Sequence, residues 1–278
     1  VAPEEDIAPF RGKGITDEQA TYLGEVANIE KNLGLLLTFL KERKLEENTV
    51  LIFMNDNGET MGLDVYNAGM RGCKCTIWHG GSRAMSFWRW PEHWQPHTVD
   101  NLTAHIDVLP TLCEIAGVKI PGQLQEKLEG FSLLPLLESQ QSLDWHEDRL
   151  LFQHVARWPD GLAASHKYAM CAVRQGPYII LQSHACNDSA CEQNTGQCPA
   201  LRGVQAGAIS RTYTKENAQF HWGVTPPGKW VLFDTKLDPA CLIDLSSEKP
   251  ELVKKLSQSY DSWWDEVYPE MIRTGGDS

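Results

Sequence analysis

Hydrophobic and polar positions change their pattern along the chain near residue 140. After a loop-like start, apolar residues recur at helical spacing to about residue 44, and Thr16 and Gln19 have the spacing of a capping box that opens this helix. Residues 49–54 are then apolar without alternation, which is typical of a strand buried on both faces inside a parallel sheet. A helix followed by such a strand predicts an α/β fold, in which ligands bind at the carboxyl ends of the strands.

The next part of the chain predicts a long loop followed by further elements of the same domain. Residues 55–83 contain six glycines and little regular patterning. A loop of this length inside a compact domain is usually functional. A strand over Met85–Trp90 and a helix over Val108–Ala116, stopped by Gly117, are predicted to follow. Residues 1–140 are therefore predicted to form one α/β domain.

Beyond residue 140 short apolar runs replace the helical pattern. They predict a small antiparallel sheet packed with one helix, which would form a second α+β subdomain over residues 141–278. The triplet Gln175-Gly176-Pro177 supplies a hairpin turn. The strands are predicted at Leu150–Val155, Tyr168–Arg174, Tyr178–Gln182 and Lys229–Asp234, and the helix at Lys249–Val267.

Composition and charge narrow the function classes. The 278 residues are 42% hydrophobic and carry a net charge of −12. Nucleic acid is therefore not expected as a partner, because its binding normally needs a basic face. No apolar run approaches the ~18 residues of a membrane span. The chain starts at Val1 without an initiator Met or a signal pattern, so we expect it to be a piece of a longer protein.

The eight cysteines suggest a cellular compartment. Cys186, Cys191 and Cys198 lie in one polar segment, with Cys171 and Cys241 on either side. Their spacing lacks the tight pairs and partner histidines of a zinc site. A surface loop held by disulfides, and hence an oxidising compartment, is favoured. Free buried thiols are the alternative.

The apolar run 49–54 ends in a turn that can bind a metal ion. Asp56 and Asn57 offer a carboxylate and an amide oxygen, which are the ligands that calcium and magnesium prefer. Such ions need roughly six oxygens, so other ligands would have to come from elsewhere. The alternative is that Asp56-Asn57-Gly58 is only a tight turn. The buried strand before it and the glycine-rich loop after it favour the metal site.

Two further residues are candidates for contact with an anionic substrate. Lys74, between Arg71 and the Gly80-Gly81 pair, could place its ammonium group on a bound or developing anion. A solvated surface lysine is the alternative. His154, on a predicted strand, could reach a substrate, but a packed or surface histidine explains it equally well.

Taken together, these segments resemble the C-terminal part of the type I sulfatases, the arylsulfatase family. The resemblance runs from about residue 17 to residue 267 and is specific in combination, although each motif alone is weak. The matching motifs occur in the family's order: Tyr22-Leu23-Gly24-Glu25-Val26, Asn48 to Phe53 with Asp56-Asn57-Gly58, Arg71-Gly72-Cys73-Lys74, Gly80-Gly81-Ser82-Arg83, Arg89-Trp90-Pro91, His105 to Thr111, and Leu232-Phe233-Asp234 with Leu237-Asp238-Pro239.

The resemblance implies a fold, an activity and site roles. It implies a partial alkaline-phosphatase-like α/β fold, with residues 1–140 as the C-terminal part of the catalytic domain. It implies that Asp56 and Asn57 bind calcium (magnesium being possible) and that Lys74 contacts the sulfate. The family's nucleophile is a formylglycine made within a Cys/Ser-x-Pro-x-Arg motif, which does not occur in this chain. The nearest segment, residues 198–202, has its proline in the wrong place.

We therefore expect a sulfuric ester hydrolase whose missing N-terminal segment carries the formylglycine. The chain alone is expected to be inactive. Its substrate would be a sugar or aryl sulfate, and the secretory route implies a periplasmic, extracellular or lysosomal location. His79 stands where the family usually has glutamate. The alternatives are a phosphatase or phosphodiesterase of the same superfamily and a non-catalytic module that binds anionic glycans.

Overall fold

The described part of the chain forms two compact units. A computed structural model describes residues 2–59, 61–62, 65–74, 76–139, 145–155, 163–168, 170–182 and 229–275. Unit 1 consists of Val1–Asp56 and Ala84–Asp148, and unit 2 consists of Asn57–Arg83 and Arg149–Ser278. Residues 57–83, called the glycine-rich segment below, therefore belong to the same compact unit as the C-terminal strands. These compact units do not test the predicted domain boundary at residue 140, which stays a prediction.

Helices and strands follow one another largely as the hydrophobic pattern predicts. The described helices are α1 (Glu4–Ile7), α2 (Asp17–Glu42), α3 (His79–Ser82), α4 (Val108–Ile115), α5 (Gly122–Gln125), α6 (Leu134–Glu138) and α7 (Pro250–Gly275), with short 3-10 turns at Ala8–Phe10, Glu46–Asn48, His105–Asp107 and Ala164–His166. The described strands are β1 (Leu51–Met54), β2 (Ser86–Arg89), β3 (Leu151–His154), β4 (Cys171–Gln175), β5 (Tyr178–Gln182) and β6 (Val231–Asp234).

The capping box predicted for α2 is confirmed. The Gln19 N–H donates to Thr16 Oγ1 at 3.1 Å, and the Thr16 N–H donates to Gln19 Oε1 at 2.8 Å. These two bonds satisfy amide groups that the first turn of a helix otherwise leaves without partners. The helix packs on α1 through Gly24, where a Cβ would lie 2.6 Å from Ile7 Cγ1.

The two-stranded sheet of unit 1 differs from the prediction. β1 pairs antiparallel with β2, from Leu51 opposite Arg89 to Met54 opposite Ser86. All four residues of β1 are only partly buried. Within the described residues, the expected interior position in a parallel sheet is therefore wrong. An apolar run without alternation indicates that both faces need cover, but the described residues cover β1 incompletely.

A buried aspartate organises the rest of unit 1. Asp107 accepts the Ala104 N–H at 2.7 Å and the Phe131 N–H at 2.9 Å, so it ties the start of α4 to a distant loop. Helix α4 ends before Gly117, which has a φ of +63°. The predicted glycine stop is confirmed, because only glycine adopts this backbone conformation without strain.

The antiparallel sheet of unit 2 confirms the prediction for the C-terminal part of the chain. Its strand order is β3-β4-β5-β6, and every neighbouring pair is antiparallel. One face carries Ala172, Ile179 and Phe233, which pack with Trp78 of the glycine-rich segment. The opposite face packs on α7. Both faces are covered, which explains why β4 and β5 show no polar alternation.

Helix α7 extends past the predicted end at Val267 and contains Pro269. A proline normally ends or kinks a helix because it removes a backbone donor. Here Tyr268 and Met271, on either side of the proline, pack against the core beneath the sheet. None of the helices that the structure describes has the length and apolarity needed to cross a bilayer.

Two of the cysteines considered above are free thiols. Cys171 and Cys241 are both fully buried, on opposite faces of the sheet of unit 2. For these two residues the alternative of a buried thiol is confirmed. The disulfide-held loop predicted around Cys186, Cys191 and Cys198 lies outside the described residues.

Candidate active site

The predicted metal turn follows β1 directly. The Asn55 N–H donates to the Met85 carbonyl at 3.1 Å, and the Asn55 carbonyl lies 2.7 Å from His105 Nε2. These contacts fix the backbone where the strand ends. The next two residues are Asp56, which is exposed, and Asn57, which is partly buried. The hard oxygen donors therefore stand at the carboxyl end of the strand, as predicted.

Gly58 allows the backbone after the turn to approach α3 closely. Its N–H donates to the Gly81 carbonyl at 3.0 Å. A Cβ at Gly58 would lie 1.8 Å from the Gly80 carbonyl oxygen, far inside van der Waals contact. Only glycine fits at this position, so the turn and α3 form one packed piece of backbone.

Lys74 lies in a loop that folds back on the same turn. Its backbone N–H donates to the Glu59 carbonyl at 2.9 Å, and its side chain is partly buried. Asn67 supports the loop by donating to the Met70 and Gly72 carbonyls at 2.7 and 2.9 Å. The structure thus joins the backbone of the Lys74 loop to the turn that carries Asn57, and the predicted shared site of their side chains stays a prediction.

Arg71 packs inward in this arrangement. Its guanidinium group lies 3.6 Å from the centroid of the Trp78 ring, and Nη1 donates to the Cys241 carbonyl at 3.2 Å. Burial lowers the pKa of Arg71. The Arg71 backbone N–H also donates to the Pro239 carbonyl at 3.4 Å. Arg71 therefore anchors the loop that carries Lys74, called the lysine loop below, to the turn after β6.

His79 opens α3 as a buried, neutral residue. It is 8% exposed, and its Nδ1 has no hydrogen-bond partner among the described residues. Burial, reinforced by the charges of Arg174 and Arg83, lowers the pKa of His79 to about 3. His79 is therefore uncharged at neutral pH.

Arg174 is a residue of this region that the sequence reasoning missed. It lies on β4, is buried, and donates from Nη2 to Ser82 Oγ at 2.7 Å. Burial lowers the pKa of Arg174 to about 10, so the side chain keeps its charge at neutral pH. The available signal was a lone arginine inside an otherwise apolar strand, at a position where a charge needs a specific reason.

His154 does not lie on the face of the sheet that packs with the glycine-rich segment. Its partner across the sheet is Cys171, which belongs to the face that packs on α7. His154 Nε2 lies 2.9 Å from the His166 carbonyl, and its ring is 5.3 Å from that of Trp264. Burial lowers the pKa of His154 to about 4. The structure gives His154 a packing role, and the predicted contact with substrate stays a prediction.

The donor set at the turn fits part of a site for a hard divalent cation. Asp56 supplies a carboxylate, and Asn57 supplies a buried amide oxygen. Calcium needs 6–8 oxygen ligands, so about four or more must come from other groups. Among the residues that the structure describes, no group of three or more His, Cys, Asp or Glu side chains could hold a metal ion.

Sequence comparison connects these segments to known proteins. Residues 3–118 match the family described as sulfatase, and residues 74–185 match the C-terminal part of N-sulphoglucosamine sulphohydrolase. A sulfatase of Formosa agariphila is 32% identical over 176 residues, which are 58% of this chain and 31% of that protein. Human arylsulfatase A is 37% identical over 112 residues, which are 39% of this chain and 22% of that protein.

Structural comparison shows the fold. The structure described as Ps i-CgsB matches with a TM-score of 0.64 at 20% identity, over 94% of this chain and 46% of that chain. The phosphonate monoester hydrolase of Agrobacterium radiobacter matches with a TM-score of 0.51 at 19% identity, over 90% of this chain and 43% of that chain. The fold is thus a partial alkaline-phosphatase-like α/β fold.

The chain spans less than half the length of each of these four proteins. The two family matches overlap in the segment that carries Lys74 and together extend from residue 3 to residue 185. They therefore include the metal turn, the lysine loop and the first strands of the C-terminal sheet. Over residues 3–185 the chain is therefore similar to sulfatases.

Proposed function

We propose that the protein hydrolyses sulfate esters and that this chain supplies part of the metal and sulfate site. One observation carries the proposal beyond this similarity. The Lys74 N–H donates to the Glu59 carbonyl at 2.9 Å, which joins the lysine loop to the strand end that bears Asn57. An oxygen-donor turn and a lysine held together in this way suit a cation and an anion that bind side by side.

Each residue has a role in this proposal. Asp56 and Asn57 would hold the divalent cation, calcium or magnesium, which when bound polarises an oxygen of the sulfate group and offsets its charge. The Lys74 ammonium group would contact a second region of the anion and stabilise charge that develops as the ester bond breaks. His79 stays neutral and therefore neither repels a cation nor donates a proton near neutral pH.

The nucleophile and the remaining metal ligands are proposed to come from residues outside this chain. The sequence contains no Cys/Ser-x-Pro-x-Arg motif. The relatives compared above are more than twice as long as the region they share with it. A formylglycine in the longer protein would supply the attacking oxygen. The 278-residue chain alone is therefore expected to be inactive.

The location of the protein is a further proposal. The secretory route, leading to the periplasm, the extracellular space or the lysosome, is supported by the cysteine-rich polar segment of residues 184–203.

A phosphoester or phosphonate hydrolase is the second candidate function. It is supported by the structural match to a phosphonate monoester hydrolase. The same two oxygen donors and lysine would suit a phosphoryl group, so this chain's residues do not separate the two chemistries.

Substrate preference and metal dependence test the proposal in the longer protein. We expect turnover of an aryl sulfate to exceed that of the matching aryl phosphate and phosphonate esters, to stop on chelation and to return with calcium. Asp56→Asn should raise the metal concentration needed for half activity by at least about tenfold, whereas Asp100→Asn, at an exposed position of unit 1, should not. Preference for a phosphorus ester, or activity that survives chelation, would contradict the proposal.

A further inference from the structure

β4 carries a single arginine within an apolar strand. Side chains alternate between faces along a strand, so Ala172 and Arg174 point to one face and Cys171 and Val173 to the other. The face of Ala172 packs against Trp78, and that of Cys171 packs against α7. Arg174 therefore points from the sheet toward the glycine-rich segment, and it is only 6% exposed.

The contacts of Arg174 do not form an ion pair. Nη2 donates to Ser82 Oγ at 2.7 Å, and Nε donates to Gln153 Oε1 at 3.4 Å. Within the described ranges no carboxylate lies within salt-bridge distance of this guanidinium group. A buried charge without a carboxylate is unfavourable for stability, and an apolar side chain of similar length would pack there without that penalty. The arginine therefore needs an explanation other than stability.

Hydrogen bonds continue from Arg174 to both parts of the candidate site. Ser82, the last residue of α3, donates from Oγ to the Trp78 carbonyl at 3.0 Å. The neighbouring Gly81 carbonyl accepts the Gly58 N–H at 3.0 Å, next to Asn57. On the other side, the Gly80 N–H donates to the Arg71 carbonyl at 2.7 Å, three residues before Lys74.

We propose that Arg174 is a positioning residue, which holds α3 through Ser82 and thereby fixes the Asn57 turn relative to the Lys74 loop. Its effect on catalysis rests on the proposed function, but the holding of the segment does not. In this role the C-terminal sheet serves as a scaffold for the site, and the buried charge of Arg174 has a function.

Local hydrogen exchange combined with kinetics tests this role in the longer protein. Arg174→Met removes the donors but keeps an apolar side chain of similar length. We expect amide exchange in residues 71–82 to rise roughly tenfold, while thermal stability stays the same or increases because a buried charge is removed. For hydrolysis, kcat should fall roughly tenfold or more with little change in KM. Arg174→Lys keeps one donor group and should therefore bring both the amide exchange and kcat part of the way back to the wild-type values.

Two further variants make the test specific. Arg273→Met makes the same chemical change at an exposed arginine on α7 and should alter neither exchange nor kcat. Ser82→Ala removes the acceptor and should reproduce the faster exchange of residues 71–82, which keeps the proposal testable if Arg174→Met fails to fold.

Three outcomes separate the proposals. Unchanged exchange in residues 71–82, or a rise shared equally by α7, would overturn the positioning role. Faster local exchange in Arg174→Met, combined with a wild-type protein that hydrolyses no sulfate ester, would support the positioning role and refute the proposed function. Faster local exchange with kcat unchanged would overturn the catalytic part of the inference.

Discussion

The two sheets of the protein are similarly apolar but differ in how completely they are covered. In unit 2, seven of the ten positions of the hairpin strands β4 and β5 are apolar, and eight of the ten are buried. The glycine-rich segment covers one face and α7 covers the other. In unit 1, β1 is apolar throughout, yet each of its residues is only partly buried.

The contrast between the two sheets shows how a continuous apolar run should be interpreted. Such a run indicates that both faces of a strand need cover, but it does not say that the same chain provides the cover. Unit 1 also exposes apolar side chains on other elements, among them Leu35 of α2 and Phe87 of β2, both 62% exposed. Because the matched relatives are more than twice as long as the shared region, we expect the longer protein to cover these residues.

The largest expected effect comes from truncating equivalent side chains in the two sheets. Ile180→Ala in β5 should lower the free energy of unfolding by about 2–5 kcal/mol, because its side chain is fully buried. Ile52→Ala in β1 is the matched control and should lower it by less than about 1.5 kcal/mol in this chain. Urea unfolding of both variants measures the difference. Equal losses would show that β1 is covered in solution and would remove the contrast.

Acid should weaken unit 2 selectively. Burial lowers the pKa of His79 to about 3 and that of His154 to about 4. The unfolded chain therefore binds more protons than the folded chain as the pH falls below about 6.5. Each histidine should remove roughly 1.4 kcal/mol of stability per pH unit, from about pH 6.5 down toward its folded pKa. Unfolding measured between pH 7 and pH 5 should show this loss.

In unit 1, the pKa of His97 is shifted in the opposite direction. Hydrogen bonds to the Gln95 and Leu136 carbonyls raise the pKa of His97. Its stabilisation is fully present below the unfolded pKa and is lost as the pH rises through the folded value. His154→Gln should therefore reduce the acid sensitivity of the chain, and His97→Gln should increase it. Identical pH profiles for the two variants would contradict this assignment.

The capping box of α2 gives a smaller effect, confined to unit 1. Thr16→Ala removes the acceptor of the Gln19 N–H and should lower stability by about 1 kcal/mol. Thr21→Ala, within the same helix, serves as the control, because Thr21 Oγ1 only donates to the Asp17 carbonyl and caps no free amide. Thermal unfolding monitored by helical circular dichroism measures both variants. An effect as large for Thr21→Ala would argue against the cap.

The smallest expected change in stability concerns the exposed strand of unit 1. Phe87→Ser should alter the free energy of unfolding by no more than about 0.5 kcal/mol, because the phenyl ring is largely exposed. Exposed apolar side chains promote association, so we expect the 278-residue chain to self-associate and Phe87→Ser to reduce this association, as sedimentation can measure. Unchanged self-association would show that other surfaces are responsible.

The sequence alone predicts the elements of this fold better than their partners. Local signals in the capping box at Thr16, the stop at Gly117 and the turn at Gly176 define element ends, because each depends on only a few neighbouring residues. The pairing of β1 depends on residues that are distant in the sequence. The hydrophobic pattern therefore does not predict that β2 is its antiparallel partner. The extension of α7 past Pro269 likewise depends on packing by Tyr268 and Met271.

Candidate site residues follow the same division. The metal turn and the lysine loop carry recognisable motifs, so Asp56, Asn57 and Lys74 could be selected from the sequence. Arg174 could not, because its role depends on a contact with Ser82, which is 92 residues away along the chain. His154 shows the converse problem, since its position on a strand gave no indication that it would lie on the face that packs against α7.

Lys74 is proposed to contact the sulfate ester at a site shared with the Asn57 turn. The most direct test is kcat/KM for an aryl sulfate in the longer protein, compared between wild type and Lys74→Ala. A positioned cation that stabilises developing charge predicts a loss of about 10²–10³-fold. Lys41→Ala, at an exposed lysine of α2, should change little. Unchanged kcat/KM in a folded Lys74→Ala variant would contradict the account.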